Sequence, residues 1–390
     1  MKLYTILKRA LSAFKNLYQC GVYDLKPIVP PYYPPSVYVE PTNRCVLKCK
    51  FCMHNGCMTR DLGFMDFELY KKIIDDIKNE VKQVDLLGQG EPLLHKDIVK
   101  MVEYAKENNL RANILTNGVL LTEGKMNELA KAGLDNLHIS FDCANKDLWI
   151  KYKGGTTEAY ERTYKNVLKA IEIAKEHGHP RLGIYLIKYG ENINHINEHL
   201  DFWNHKLDGI GNASVQDLIN MWGLNDDDPS LGWYRELTKE IKDNNIGDKD
   251  FPVCFSPWVN CVIYWDGRVN ACSYDANGRM IVGDVKEDSF LDIWKNEKFK
   301  QYMKWCVKRI FDDNGINGVI CKKCNLLLTP EDNMHLSLKG KMKLAKYKFL
   351  RKKDQSQRNT KTLDDIFVYD FRKRAFILKS DKDKGDHETN

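Results

Sequence analysis

The stretch SVYVEPTNRCVLKCKFC, residues 36–52, decides how the rest of the chain is read. Val37–Val39 is a short β-branched and aromatic run, which predicts a strand. Glu40-Pro41-Thr42 ends it, since proline cannot donate to a ladder. The loop beyond holds Cys45, Cys49 and Cys52 at CxxxCxxC spacing. Thiolates at this density suit an iron–sulfur cluster. Three ligands leave one iron of a four-iron cluster open, and an open metal position serves chemistry where a closed shell serves structure. A zinc knuckle is the alternative reading, with His54 or Cys57 as a fourth ligand.

Working outward, strand and helix periodicities alternate. Helices are predicted over Phe67–Lys82, Ile98–Asn108, Lys125–Ala132 and Tyr160–Glu176. Strands are predicted at Val84–Leu87, Arg111–Leu115, Asn136–Phe141, Leu182–Ile187 and Ala213–Leu218. This order implies a parallel sheet with helices outside it; the pattern leaves open whether the sheet closes into a barrel. Upstream, Pro27–Pro35 reads as a linker, and Leu3, Ile6, Leu7, Leu11, Phe14, Leu17 and Tyr18 have helical spacing. That helix is expected to pack on the body or lie on a membrane surface. It lacks the uninterrupted apolar core of a secretory signal. Past residue 250 the pattern changes. Val259–Trp265 alternates, Asp266-Gly267 marks a hairpin turn, Phe290–Val307 is helical, and Asp364–Ile377 is a short strand or helix.

The 390 residues allow two or three folded units, and a hydrophobic content of 43% excludes wholesale disorder. The formal charge of +6 sits in the tail: residues 331–390 hold 16 Lys or Arg against 10 Asp or Glu, and the remainder is neutral. A neutral body offers no footprint for nucleic acid. The basic stretch Lys339–Lys353 is either a solvated tail or a surface segment for acidic membrane lipid or a phosphorylated substrate.

Disulfide stapling explains twelve cysteines poorly in a chain this large without a secretory signal. A second group has the form Cys254-x12-Gly267-x4-Cys272, then Cys321-x2-Cys324. By spacing alone this is a four-cysteine metal site, zinc included. Among the others, Cys143 follows Ser140-Phe141-Asp142 at a strand's carboxyl end, the substrate side of an α/β barrel, and Cys261 lies in the hairpin. A thiol at either place could donate hydrogen to a substrate radical; inert core thiols are the ordinary alternative. His195 and His199 read as a surface helix. Lys188, Asp217, Tyr274 and Asp275 are proton-handling candidates from position, and Met221-Trp222-Gly223 either lines the substrate cavity or packs.

The first loop resembles the cluster motif of radical S-adenosylmethionine (SAM) enzymes, and further stretches between Val37 and Leu218 match in order. Gly90-Glu91-Pro92 resembles the family's glycine–glutamate–proline stretch, Asn117 ends the third strand, and Ser140 with Asp142 resembles the pair ending the fourth. Leu182–Glu191 stands where the family packs on the adenine. Val46 replaces a common asparagine at a position that is not a ligand. Lys153 replaces a common arginine, which leaves the holder of the SAM carboxylate unassigned. The second cysteine group is similar to the twitch domain, the short form of the SPASM domain.

The resemblance implies an α/β fold, a partial (β/α)6 barrel with a C-terminal twitch domain. Its divisions are an N-terminal helix and linker over 1–36, the barrel over 37–245, the twitch domain over 246–335 and a basic tail over 336–390. It implies SAM and two [4Fe–4S] clusters, one on Cys45, Cys49 and Cys52 and one auxiliary on Cys254, Cys272, Cys321 and Cys324. SAM cleavage to a 5′-deoxyadenosyl radical would be followed by hydrogen abstraction from the substrate. The expected substrate is a carbohydrate, aminocyclitol or lipid-linked saccharide, oxidised from carbinol to ketone as in 2-deoxy-scyllo-inosamine-type dehydrogenases. A flavodoxin or ferredoxin would be the reductant. The place of work is expected to be the cytoplasm, in peripheral contact with a membrane. Radical epimerisation, peptide or protein maturation, and a zinc-binding interaction protein are the other readings.

Overall fold

The structure is a computed structural model that describes residues 33–142, 145–219, 227–228, 231, 254, 256–259, 261–308, 321 and 324, and the backbone of 367–370 and 375–378. Cys20, Cys143, Met221-Trp222-Gly223, the N-terminal helix and the basic stretch Lys339–Lys353 lie outside the described residues.

Strands β1 (Ser36–Val39), β2 (Gln83–Leu86), β3 (Arg111–Thr116), β4 (Asn136–Ser140), β5 (Arg181–Ile187) and β6 (Gly211–Gln216) pair in sequence order, all parallel. They alternate with helices α1 (Met53–Gly56), α2 (Phe67–Ile77), α3 (Ile98–Glu107), α4 (Glu123–Lys131), α5 (Lys146–Lys153), α6 (Thr157–His177) and α7 (Ile196–Lys206). The predicted α/β partial barrel is the architecture found. Its sheet is open, and the other side of β1 carries β7 (Val262–Ile263), β8 (Arg268–Asn270) and β9 (Ile281–Asp284). The pairing of β1 with β7 is parallel, and those of β7 with β8 and β8 with β9 are antiparallel. One sheet therefore runs from the barrel into the cysteine-bearing hairpin. Helices α8 (Ser256–Val259), α9 (Phe290–Lys295) and α10 (Glu297–Lys308) complete this part.

Local chemistry sets the boundaries. The Asp66 carboxylate accepts from Glu68 N and Leu69 N, so α2 starts at Phe67. It ends at Ile77, short of the predicted Lys82, because Gln83 already belongs to β2. Thr122, Asn145, Thr156 and Ser289 cap α4, α5, α6 and α9 in the same way. The predicted helix Phe290–Val307 is two helices, broken at Asn296, which leaves the helical region and caps the next with Oδ1 on Phe299 N at 2.8 Å. Of the predicted strand Val259–Trp265, Val262–Ile263 lies in the sheet, while Val259 ends helix α8 and Trp265 enters the turn. Gly267, at φ +93°, makes the expected hairpin turn. Helix α7, expected at the surface, buries His199 and Trp203. Residues 246–252 and 330–390 form a separate compact unit, in which β10 (Phe367–Asp370) and β11 (Ala375–Leu378) pair as an antiparallel hairpin.

Strand alternation sorts the two sheet faces. Val37, Val39, Val84, Leu86, Ile114, Leu137, Ile139, Leu182 and Ile184 are buried toward the helices. Register puts Tyr38, Asp85, Asn113 and Asn136 in one row on the opposite, concave face. His138, Ser140, Gly183, Tyr185 and Ser214 follow above them. Closed α/β barrels fill this face with branched apolar side chains. Here, among the described residues, Leu115 and Ile187 are the apolar exceptions on β2–β6.

A buried ion pair ties the loop before α2 to the end of β1. Arg60 Nη2 reaches Glu40 Oε2 at 2.8 Å and Oε1 at 3.1 Å, its Nε donates to Ala276 O at 2.7 Å, and its guanidinium stacks 3.7 Å over Tyr264. Glu40→Ala would leave the guanidinium buried without its partner and should cost about 3–5 kcal/mol, read as a lower urea midpoint of the cluster-free chain. A loss below about 1 kcal/mol would show the pair to be dispensable.

Candidate active site

The cluster loop is held from several sides. Thr42 Oγ1 donates to Gly63 O at 2.5 Å, and Asn43 Nδ2 to Asp61 O at 2.8 Å. Lys48 N and Lys50 N donate to the last carbonyls of α5, Lys153 O and Tyr152 O, at 3.2 and 2.8 Å. Leu47 is buried, whereas Arg44, Val46, Lys48 and Lys50 are exposed. This alternation turns Cys45 and Cys49 to the same side as Leu47. Cys52 precedes α1 as its N-cap residue. Burial pushes the Cys49 thiol up to about 12, while Lys153 and its positive charge oppose the shift. Cys45 and Cys52 are raised by burial as well. Buried thiols that resist ionisation are stabilised as thiolates once a metal supplies positive charge.

Gly90 and Glu91 fasten the second strand's loop to the first. A Cβ on Gly90 would strike the carbonyl of Thr42 and come within 2.6 Å of that of Arg44. Glu91 N donates to Arg44 O at 2.8 Å. The Glu91 carboxylate is buried; Oε1 accepts from Leu93 N at 3.0 Å and Thr116 Oγ1 at 2.7 Å, and Oε2 from Asn117 N at 2.7 Å. Glu91 thus acts as a positioning group, and Pro92 starts a short 3-10 turn behind it. Asn117 Nδ2 lies 3.7 Å from Cys45 Sγ.

The ends of β4 and β5 supply the other wall. Asp142 sits at φ +62°, buried. Its Oδ1 accepts from Ile187 N at 2.9 Å, its Oδ2 from Ser140 Oγ at 2.5 Å, and it pairs directly with Lys153 Nζ. Lys153 also reaches Ser140 O at 2.9 Å. Burial would lower the Lys153 pKa, yet it is raised, because Asp142 first and then Cys49 favour the cation. Asn192 Nδ2 donates to Ile187 O at 2.7 Å and Asp142 O at 3.2 Å. Sequence reasoning missed the positioning roles of Thr116 and Asn192; Thr116 precedes the singled-out Asn117, but nothing marked Asn192.

Cys254, Cys272, Cys321 and Cys324 come together at the far side of the hairpin. Ser256 Oγ donates to Cys272 Sγ at 3.3 Å, and Cys324 N to Cys321 O at 3.2 Å. Burial pushes Cys254 up to about 11 and Cys272 to about 12. The Cys321 thiol is raised by burial, then by Cys254, Cys272 and Cys324. Cys306, expected to be inert, is buried within electrostatic reach of all four. Cys261 is fully buried beside Tyr38. Lys188 and Asp217 form an ion pair of 2.9 Å. Asp275 is buried and accepts from Met280 N at 2.8 Å, and Tyr274 is half-buried. Among the described residues no group of His, Cys, Asp or Glu is gathered for a single metal ion.

The two cysteine sites are physically joined. Asn277 Nδ2 donates to Cys57 O at 2.8 Å, Thr59 N to Asn277 Oδ1 at 2.6 Å, and Trp265 Nε1 to Asp61 O at 3.2 Å.

Comparison with known proteins agrees with this geometry. Residues 39–202 match the model of the radical SAM superfamily, and residues 254–325 that of the SPASM iron–sulfur cluster-binding domain. The chain thus carries a radical SAM domain and a SPASM domain, and these domains bind SAM and [4Fe–4S] clusters. It is 27% identical over 300 residues, 67% of this chain and 81% of the other, to the tungsten-containing aldehyde ferredoxin oxidoreductase cofactor-modifying protein of Pyrococcus furiosus. It is 33% identical over 143 residues to the PqqA peptide cyclase of Bradyrhizobium diazoefficiens, 36% of this chain and 35% of that protein. Streptococcus suis SuiB bound to S-adenosylmethionine has a TM-score of 0.55 at 19% identity, covering 77% of this chain and 72% of that one.

The donor set fits the cofactors: thiols around a buried lysine, and a glycine where any side chain would push the loop away. Gly90→Ala should therefore lower iron by about four per chain after anaerobic reconstitution, as should Cys49→Ala. Full iron and sulfide content in Gly90→Ala would refute the close-approach role.

Proposed function

We propose that this chain uses its radical chemistry on a polyhydroxylated small molecule of the carbohydrate or aminocyclitol class, oxidising a carbinol to a ketone. The polar concave face carries this reading. Tyr38, Asp85, Asn136, His138, Tyr185 and Ser214 offer donors and acceptors along its rows, and most of them are only partly buried. Hydroxyl-rich ligands match such a surface, because each buried polar group then keeps a partner.

SAM and the clusters would supply hydrogen-atom abstraction from carbon and removal of a further electron. Cys45, Cys49 and Cys52 would hold the SAM-binding cluster, with Gly90, Glu91, Pro92, Asn117, Ser140 and Asp142 shaping the place for SAM. Lys153, cationic beside Ser140, is suited to the SAM carboxylate. Cys254, Cys272, Cys321 and Cys324 would hold one auxiliary cluster. A flavodoxin- or ferredoxin-type protein would deliver the electron that starts the reaction. Among the described residues no helix is long and apolar enough to cross a membrane. Work at a membrane on a lipid-linked saccharide rests on the basic tail and the amphipathic N-terminal segment.

The likeness to the peptide cyclase favours a second reading, in which the substrate is a peptide. Epimerisation would need a thiol donor, Cys143 or Cys261; the burial of Cys261 at 0% exposure weighs against it. Incubation with a polyol panel in deuterated water separates the outcomes by mass. Oxidation predicts a product two mass units lighter. A product one unit heavier indicates epimerisation, and turnover of peptides with none of polyols would overturn the proposal.

A further inference from the structure

Two titratable side chains on the concave face stand outside the cofactor-holding set. His138 of β4 and Tyr185 of β5 lie with rings stacked at 5.0 Å between centroids and 14° between planes, and Tyr185 Oη is 2.8 Å from His138 Nδ1. The chain makes room for this pair. A Cβ on Gly183, which faces His138 across the ladder, would lie 2.5 Å from Nδ1. Tyr185 is the ladder partner of Ser140, so the pair lies directly beneath the end of β4 where Ser140 and Asp142 stand. Both residues are partly exposed on this face.

The groups around the pair set its protonation. Asp85 of β2 is held by Asn113 Nδ2 at 2.7 Å and by Gln83 Nε2 at 3.0 Å. Tyr38 of β1 faces Asp85 and Tyr185, with Cys261 behind it. Burial lowers the His138 pKa and the Asp85 carboxylate opposes the shift. His138 is thus neutral near pH 7; in the tautomer with its proton on Nε2, Nδ1 is free to accept a proton, and the resulting imidazolium faces a carboxylate. Burial, then Asp85, raises Tyr185, so it keeps its proton and works as a relay and not as a phenolate.

We propose that Tyr185 and His138 form the proton-accepting relay for the substrate hydroxyl, the catalytic base of the oxidation; this rests on the polyol reading above. The substrate O–H proton passes to Tyr185 Oη as the Tyr185 proton passes to His138 Nδ1. The carbon's hydrogen leaves as an atom to the 5′-deoxyadenosyl radical, and the remaining electron to an oxidised [4Fe–4S] cluster. The carbinol becomes a ketone, and His138 becomes an imidazolium. Asp85 positions and stabilises that cation without touching substrate.

The test has two arms on the reconstituted full chain. In the first, imidazole-¹⁵N spectra with His138→Gln to assign the signal should show Nε2 protonated and Nδ1 bare near neutral pH, and Tyr185→Phe should shift Nδ1. A protonated Nδ1, or no response to Tyr185→Phe, overturns the relay. In the second arm, 2-deoxy-scyllo-inosamine and myo-inositol are the probes. His138→Gln and Tyr185→Phe should lower kcat for ketone formation about 10²-fold or more with KM little changed. The wild-type rise of kcat with pH through the His138 pKa should vanish in His138→Gln. It should move to lower pH in Asp85→Asn, which removes the charge that favours the imidazolium. Ketone formation with an unchanged kcat and pH profile overturns the relay and leaves the polyol reading standing. Absence of ketone from both probes in the wild type removes support for the polyol reading, and the nitrogen spectrum then decides the relay by itself.

Discussion

The buried pairing of Asp142 with Lys153 ties the site together. Asp142 ends β4 in the left-handed region, which costs backbone energy for a residue other than glycine. Its carboxylate offsets this by accepting from Ile187 N, Ser140 Oγ and Lys153 Nζ. Lys153 is the last residue of α5, whose terminal carbonyls hold the backbone of the cysteine loop. One ion pair thus fixes two strand ends, a helix end and the thiol-bearing loop together. Removing either partner would leave a buried charge unpaired, at a cost of about 3–5 kcal/mol.

A second constraint is close approach. Gly90 lets the β2 loop touch the carbonyls of the cysteine loop, and Gly183 lets the His138 ring lie over β5. In both places a missing side chain positions a functional group a few ångströms away. The continuous sheet from β1 into β7, with Arg60 bound both to Glu40 and to Ala276 O, fixes the SPASM hairpin against the radical SAM barrel. The spacing between the two cysteine sites is therefore built into the backbone.

Much of this was legible in the sequence. The CxxxCxxC loop after a strand, the alternation of strands and helices, and the hairpin with its distant CxxC gave the fold and the cofactor class, because ligand spacing and hydrophobic period are local properties. The break at Asn296 and the shortness of β7 were not legible, since a cap and a sheet edge depend on tertiary neighbours. Lys153 looked like a departure from the family pattern; only the fold shows it buried against Asp142 and beside the thiols. His199 was read at the surface because helical spacing does not say which face is covered. Its ring is buried beside Trp203, with burial lowering it to about 4. His138 and Tyr185 drew no attention, as they are 47 positions apart and meet only through strand register.

On the proposed reading, the concave face presents a polyol to the site of radical chemistry. That reading is tested most directly by supplying myo-inositol deuterated at carbon and weighing the 5′-deoxyadenosine formed. Deuterium carried from the polyol into 5′-deoxyadenosine is the predicted result. Unlabelled 5′-deoxyadenosine from the deuterated polyol, alongside label transfer from a deuterated peptide, would contradict it.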